Sequence, residues 1–79
     1  MLYLIEYDRS RGEIVSLRSF RNADRTAAQE ARLTLELALN RQGIEREVVL
    51  LEARSEDALR RTHRRYFETL TSLSDTRTS

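Results

Sequence analysis

The chain has 79 residues, of which 34% are charged and 39% hydrophobic, and its formal net charge is +1. This length excludes two separate hydrophobic cores, and the near-zero net charge excludes a global field that would attract nucleic acid or an anionic membrane. The chain has no cysteine and one histidine, which excludes disulfides and a structural zinc site as sources of stability. Of the usual supports for so small a core, oligomerisation remains.

The same composition predicts a cytoplasmic protein of bacterial type. The apolar run that follows Met1 is too short for a signal peptide and has no positively charged flank, and no uncharged stretch of 18 apolar residues occurs. The absence of cysteine gives no reason to invoke an oxidising compartment. All 14 basic residues are arginine, a usage typical of GC-rich genomes. We expect no membrane partner and no cofactor.

Residues 2–7 and 13–20 are predicted to form the two strands of a hairpin. The connection from Asp8 to Gly12 supplies a turn-forming aspartate and a glycine that tolerates positive φ. Pairing across this connection should place one mainly apolar set on the core face, whereas the other face should mix apolar and polar side chains. The expected core-face set is Tyr3, Ile5 and Tyr7 beside Leu17, Val15 and Glu13, and the expected apolar members of the other face are Leu2, Leu4 and Ile14.

Residues 23–41 are predicted to form a helix, with Asn22 or Thr26 as N-cap and Gly43 as the stop signal. The stretch 33–39 alternates with a period of two, which is also typical of a strand. We favour a helix because alanine, leucine, glutamate, glutamine and arginine dominate the segment and β-branched residues are almost absent.

Two further elements complete the chain. The continuous apolar run at 47–52 predicts a third strand. Ser55 is then placed to cap a second helix, whose first turn holds two acidic residues that interact favourably with the helix dipole. The apolar stripe of this helix is predicted to include Leu59, Thr62, His63, Tyr66 and Leu70, with Leu73 as a further candidate. Residues 1–70 are therefore predicted to form one domain, with 71–79 as a flexible C-terminal tail.

These elements predict an α/β protein of the α+β two-layer type with the order β-β-α-β-α. A crossover through the first helix should make the third strand parallel to the second, which indicates a three-stranded mixed sheet with two helices. The third strand is also free to lie beside the first strand, which would then be central.

The leading functional prediction is a non-catalytic interaction module that self-associates as a homodimer. If the first helix buries the face that carries Ala31 and Leu35, then Leu33 and Leu37 form a ridge on nearly the opposite side. Together with the half-apolar sheet face, this gives more apolar surface than two helices on one face of a sheet can cover. Either the helices cover both sides of the sheet, or a second subunit covers what remains. The predicted self-association residues are Leu33, Leu37, Leu2, Leu4 and Ile14.

A second hypothesis is a small nucleic-acid-binding protein. Arg60, Arg61, Arg64 and Arg65 should project from one face of the second helix, where they could follow phosphates or contact an acidic protein partner. Acidic residues four positions away supply helical ion-pair partners for most of this charge, so the same pattern is typical of a solvated, salt-bridged surface. Aromatic residues near arginines, namely Tyr3, Tyr7 and Phe20 beside Arg18 and Arg21, offer a base-stacking surface or simply part of the core.

His63 is the natural candidate for acid–base catalysis because its side chain titrates near neutral pH. No carboxylate or nucleophile accompanies it in the sequence, and the pattern equally fits a structural histidine at the edge of a helix. A nucleophile elbow, a phosphate-binding glycine loop and an H-x-x-x-H metal motif are all missing. We therefore assign no catalytic, cofactor-binding or metal-binding residue.

Overall fold

The computed structural model describes residues 1–67, so the predictions that fall on Leu70, Leu73 and the tail at 71–79 lie outside the described residues. The described chain is of the α+β class, with three strands and two α-helices. The elements in chain order are β1 (Leu2–Asp8), β2 (Glu13–Phe20), a 3-10 helix (Asn22–Asp24), α1 (Arg25–Gln42), β3 (Glu47–Glu52), α2 (Glu56–Thr62) and a second 3-10 helix (Arg64–Tyr66).

The sheet has the strand order β2-β1-β3, and β1 pairs antiparallel with both neighbours. The prediction of a mixed sheet is therefore wrong, although β1 is central. β2 and β3 run in the same direction because both oppose β1, but they do not pair with each other. The helical crossover carries the chain past β1 to the far edge of the sheet. The two strands that run in the same direction, β2 and β3, are therefore not neighbours.

A β-bulge in the hairpin changes which side chains reach the core. Glu6 pairs with Ser16 and Tyr7 pairs with Ile14, so Val15 is the extra residue on β2. Ile14 consequently joins the face of Tyr7, whereas Val15 is exposed, which reverses the predicted faces of these two residues. The predicted register is also wrong by two positions, since Ile5 lies opposite Leu17.

The turn accounts for one of these two positions, and the bulge accounts for the other. Asp8 belongs to β1 and pairs with Glu13, and the Asp8 carbonyl accepts a 2.8 Å hydrogen bond from the Gly12 N–H. The Asp8 carboxylate also accepts hydrogen bonds from the backbone N–H groups of Ser10 and Arg11 and from the Ser10 hydroxyl. This side chain therefore fixes the turn one residue further along β1 than the sequence analysis placed it.

Helix α1 ends at the glycine predicted to stop it. Gly43 has φ +69°, its N–H donates to the Asn40 carbonyl, and the following Ile44 N–H donates to the Leu39 carbonyl. This pair of bonds is a Schellman motif, which satisfies carbonyls left open at the end of the helix. The predicted N-caps are wrong, because a 3-10 turn precedes the helix and places Asp24 at the N-cap.

Helix α2 is shorter than predicted. Ser55 caps it as expected, since its hydroxyl oxygen accepts a hydrogen bond from the Ala58 N–H at 3.2 Å. The helix ends at Thr62, whose hydroxyl donates back to the Ala58 carbonyl, and His63 leaves helical geometry at φ −127° and ψ 52°. The single predicted stripe is therefore broken after Leu59, and Tyr66 reaches the core from a separate 3-10 helix.

The two helices lie on opposite faces of the sheet, which corrects the predicted two-layer arrangement. One face of β1 contributes Tyr3 and Ile5 to a core cluster with Leu59 and Tyr66. The other face buries Leu2, Leu4 and Glu6 on the side of α1. An ion pair at 3.0 Å between Arg25 of α1 and Glu52, which lies opposite Leu2, ties the helix to this second face.

Candidate interaction surface

Helix α1 presents the most exposed large hydrophobic side chains of the described residues. The side chains of Leu33 and Leu37 are 56% and 53% exposed, whereas Ala28 is fully buried. Leu35 is partly buried on the same side as Ala28 and lies half a helical turn away from the two leucines. We call Leu33 and Leu37 the leucine ridge. Because the ridge points away from the sheet, no described element of the same chain covers it.

The other three residues predicted to support self-association lie inside the protomer. Leu2 is 1% exposed and Leu4 is 3% exposed, both on the sheet face that α1 covers. Ile14 packs against the core cluster on the opposite face. The helices thus cover both sides of the sheet, one of the two alternatives left open by the sequence, and the exposed apolar surface on α1 reduces to the leucine ridge.

Polar side chains of opposite charge border the ridge. Glu30 lies about one turn before Leu33, and Arg41 lies about one turn after Leu37. Both are exposed, as is Asn40 between Leu37 and Arg41. These three residues are not among the predicted self-association residues, although their spacing from the leucines is visible in the sequence.

The four arginines predicted to bind anions do not act as one set. Arg65 binds the Glu47 carboxylate at 2.6 Å and stacks on the Tyr66 ring, so its charge is directed back to the sheet. Arg60 lies 4.6 Å from the centre of the Phe67 ring and forms a 3.7 Å ion pair with Glu56. The Glu56–Arg60 pair is one of the helical ion pairs expected from the sequence, whereas the partner proposed for Arg64 at position 68 lies outside the described residues.

Three of these arginines still share one concave surface. Arg60, Arg61 and Arg64 line a shallow cavity of about 340 Å³, and all three are exposed. Guanidinium groups that converge on one hollow are suited to phosphate or carboxylate oxygens. The ion pair with Glu56 offsets part of this charge.

The aromatic residues considered for base stacking are divided between the two sheet faces. Tyr3 is buried in the core cluster, and Tyr7 makes an edge-to-face contact with Tyr66 at a centroid distance of 5.1 Å. Arg18 and Phe20 lie on the other face, where the guanidinium is 5.0 Å from the ring centre. The two tyrosines therefore fit the core interpretation, and no continuous stacking surface joins them to Phe20. Arg21 forms an ion pair with Asp24 at 3.2 Å.

A polar cluster that the sequence analysis missed fastens the C-terminal 3-10 helix to β3. The Glu47 carboxylate accepts hydrogen bonds from the Tyr66 hydroxyl, Arg65 and Arg9. The bond from Tyr66 is the main reason that the pKa of Glu47 lies below its usual range, with Arg65 adding to the effect. Burial and the neighbouring carboxylate raise the pKa of Tyr66. No sequence spacing signals this cluster, because its members lie 18 or more positions apart in the chain, except for the adjacent Arg65 and Tyr66.

His63 occupies the end of α2, where its ring Nδ1 lies 2.9 Å from the Thr62 hydroxyl. Its backbone N–H donates to the Leu59 carbonyl, which gives the residue a role in ending the helix. In the described part of the chain, no group of three or more histidine, cysteine, aspartate or glutamate residues is arranged to hold a metal ion.

A cleft of about 910 Å³ lies between the C-terminal half of α1, the hairpin turn and the start of β3. Acidic and basic side chains both line it, including Glu36, Glu45 and Arg46. The Arg46 Nε atom lies 3.3 Å from the Glu6 carboxylate, so the most buried positive charge in this region already has an acidic neighbour. The mixed lining selects no particular class of ligand.

Comparison with known proteins adds no relative: no protein-family model, no curated protein and no solved structure matches the chain. Within residues 1–67, no helix is both long enough and apolar enough to cross a membrane.

Proposed function

We propose that this protein is a small, non-catalytic interaction module that forms a homodimer through the leucine ridge of α1. The observation that carries the proposal is the exposure of Leu33 and Leu37 at the middle of an 18-residue helix whose opposite face packs on the sheet. A surface in the middle of a long helix is accessible to the same surface of a second copy, as a two-fold symmetric interface requires.

The free energy available from burying the leucine ridge indicates a weak dimer. Full burial of one leucine contributes about 1.5–3 kcal/mol, so completing the burial of four half-exposed leucines contributes about 3–6 kcal/mol. Association costs about 4 kcal/mol or more in lost freedom of motion, so the leucines alone only balance the lower estimate. Contacts at the border of the ridge must supply the remainder, and we expect a Kd between about 10 μM and 1 mM.

The test is the solution mass of the full chain measured by sedimentation equilibrium from about 10 μM to 1 mM, a range chosen to span that Kd. The wild-type chain should show a concentration-dependent dimer, and the double variant Leu33→Glu with Leu37→Glu should be monomeric with an unchanged circular dichroism spectrum. The matched control is Ala27→Glu with Ala38→Glu, which adds the same charge at exposed positions of α1 outside the ridge. A wild-type monomer throughout the range, or a dimer that survives in the ridge variant, would refute the proposal.

A cytoplasmic location is part of the same proposal. The cysteine-free composition suits a reducing compartment, since no structural feature of the chain depends on disulfide formation.

The second candidate function is binding of RNA or DNA, and it is supported by the cavity that Arg60, Arg61 and Arg64 line. Contacts between these side chains and phosphates would release counterions, so the affinity should fall steeply as salt is raised. Titration of fluorescently labelled single-stranded RNA and duplex DNA should therefore show binding at about 50 mM salt that Arg61→Glu weakens. Arg54→Glu changes the net charge equally at an exposed position before α2 and serves as the control. A flat titration at that salt concentration contradicts this function.

A further inference from the structure

We infer that the two copies of α1 pair in an antiparallel orientation, selected by Glu30 of each chain meeting Arg41 of the other. This inference rests on the proposed dimerisation through the leucine ridge and specifies the partner surface and its orientation. The leucines themselves do not select an orientation. Parallel helices would place Leu33 against Leu33 and Leu37 against Leu37, whereas antiparallel helices would place Leu33 against Leu37 twice, and both arrangements bury four leucines.

The charged residues that border the ridge distinguish the two orientations. Glu30 lies at the N-terminal border and Arg41 at the C-terminal border, on the same side of α1 as the leucines. An antiparallel pair centred between Leu33 and Leu37 brings position 30 of one chain opposite position 40 of the other, next to position 41. Glu30 and Arg41 lie on the same border of the ridge, so each Glu30 carboxylate then meets an Arg41 guanidinium, and two-fold symmetry makes this contact twice. A parallel pair instead brings Glu30 against Glu30 and Arg41 against Arg41, which is repulsive at both ends.

The surroundings of Glu30 leave its charge available for this contact. No residue three or four positions from Glu30 along α1 is charged, and the i,i+4 ion pair of the helix joins Arg32 to Glu36 instead. The helix dipoles favour the same orientation, because antiparallel helices place the positive end of one beside the negative end of the other. An antiparallel pair also brings Thr26 of one chain opposite Ile44 of the other. Ile44 lies just beyond the end of α1 and is 36% exposed, so it is available for this contact.

Charge reversal tests the pairing. Glu30→Arg and Arg41→Glu should each raise the dimer Kd about tenfold, because each replaces two attractive contacts by two repulsive ones, and the double variant should return the Kd close to that of the wild type. Arg54→Glu, at an exposed position away from α1, controls for the change in net charge and should leave the Kd unchanged. Single substitutions that have no effect, or a double variant weaker than both single variants, would overturn the inference.

Site-specific cross-linking measures the orientation independently, since the chain has no cysteine of its own. The two variants Thr26→Cys and Ile44→Cys are purified separately. One of the two proteins carries a mass tag, so that mixed dimers can be recognised. In an antiparallel dimer a short bismaleimide should cross-link the mixture efficiently and neither variant alone, because identical positions lie about 27 Å apart along the paired helices. Efficient cross-linking of each variant alone, with no mixed product, would show parallel helices.

These results separate the inference from the function on which it rests. A wild-type dimer that the ridge variant disrupts but charge reversal leaves unchanged would overturn the antiparallel pairing and support the dimer. A wild-type chain that is monomeric up to about 1 mM would overturn both.

Discussion

Tyr66 donates its hydroxyl hydrogen to the carboxylate of Glu47, the first residue of β3. Tyr66 is 7% exposed, and its ring contacts Tyr7 edge to face, so the hydroxyl is the polar end of an otherwise apolar contact with the sheet. Arg65 and Arg9 bind the same carboxylate. The bond therefore fastens the second 3-10 helix over the core face at a point where α2 has already ended.

We expect Tyr66→Phe to lower the free energy of unfolding by about 1–2 kcal/mol, because it removes a hydrogen bond to a charged acceptor while keeping the ring in place. Tyr7→Phe is the matched control. The Tyr7 hydroxyl donates to the Arg65 carbonyl at 3.4 Å, a long bond whose loss should cost less than about 0.5 kcal/mol. Urea unfolding monitored by circular dichroism measures both values, and equal losses would show that the Glu47 contact has no special role.

Stability should fall in acid because two carboxyl groups have lowered pKa values in the fold. Tyr66 is the main cause for Glu47, and the Ser10 hydroxyl is the main cause for Asp8. A carboxyl whose folded pKa is depressed contributes stability above its unfolded pKa, about 4 for both residues, and loses it as the pH falls through the folded pKa. Glu47→Gln should therefore flatten the dependence of unfolding free energy on pH below about pH 5. A slope identical to that of the wild type would contradict this assignment.

The hydrogen bond between Tyr66 and Glu47 should also make the folding stability fall at alkaline pH. Burial and Glu47 raise the pKa of Tyr66, so its contribution to stability is present below the unfolded pKa of about 10 and is lost as the pH rises through the folded value. Ultraviolet absorbance titration of the native chain should show a late tyrosine transition, above about pH 10, that belongs to Tyr66. That late transition should be missing in Tyr66→Phe and present in Tyr7→Phe.

Gly43→Ala should destabilise the fold by about 1–2 kcal/mol, the cost of left-handed backbone geometry for a residue with a Cβ. The residue has φ +69°, and a Cβ built at this position meets no atom within 4 Å, so crowding adds nothing to the cost. Gly43→Asn should lose less, because asparagine tolerates this conformation better than alanine. Thermal and urea unfolding of the two variants would test the order, and a larger loss for asparagine would contradict the explanation.

Leu59→Ala should cost about 2–5 kcal/mol, because Leu59 is fully buried in the core cluster and the substitution leaves a cavity. In so small a domain this loss is a large part of the total stability. Leu37→Ala removes the same atoms from a side chain that is 53% exposed and should cost less than about 0.5 kcal/mol under dilute, monomeric conditions. Comparable losses at the two positions would contradict the separation of core and ridge on which the proposed dimer depends.

Much of the fold was predictable because it depends on signals that are local in the sequence. The hairpin, the helical state of 33–39, the stop at Gly43, the third strand and the Ser55 cap all depend on interactions within a few residues. The candidate site was partly predictable for the same reason, since helical periodicity alone places Leu33 and Leu37 opposite Leu35. The predictions for Leu2, Leu4 and Ile14 depended on which sheet faces the helices cover, and local periodicity carries no information on that choice.

The sequence by itself determined the succession of strands and helices and the two-leucine ridge on α1, because capping and side-chain period are encoded locally. Tertiary structure alone decided that both neighbours of β1 are antiparallel, that a bulge at Val15 turns Ile14 towards the core, and that α1 and α2 lie on opposite sheet faces. It also brought Glu47, Arg9, Arg65 and Tyr66 together. These outcomes follow from contacts between residues far apart in the chain, whose free energies depend on the packing of the whole domain.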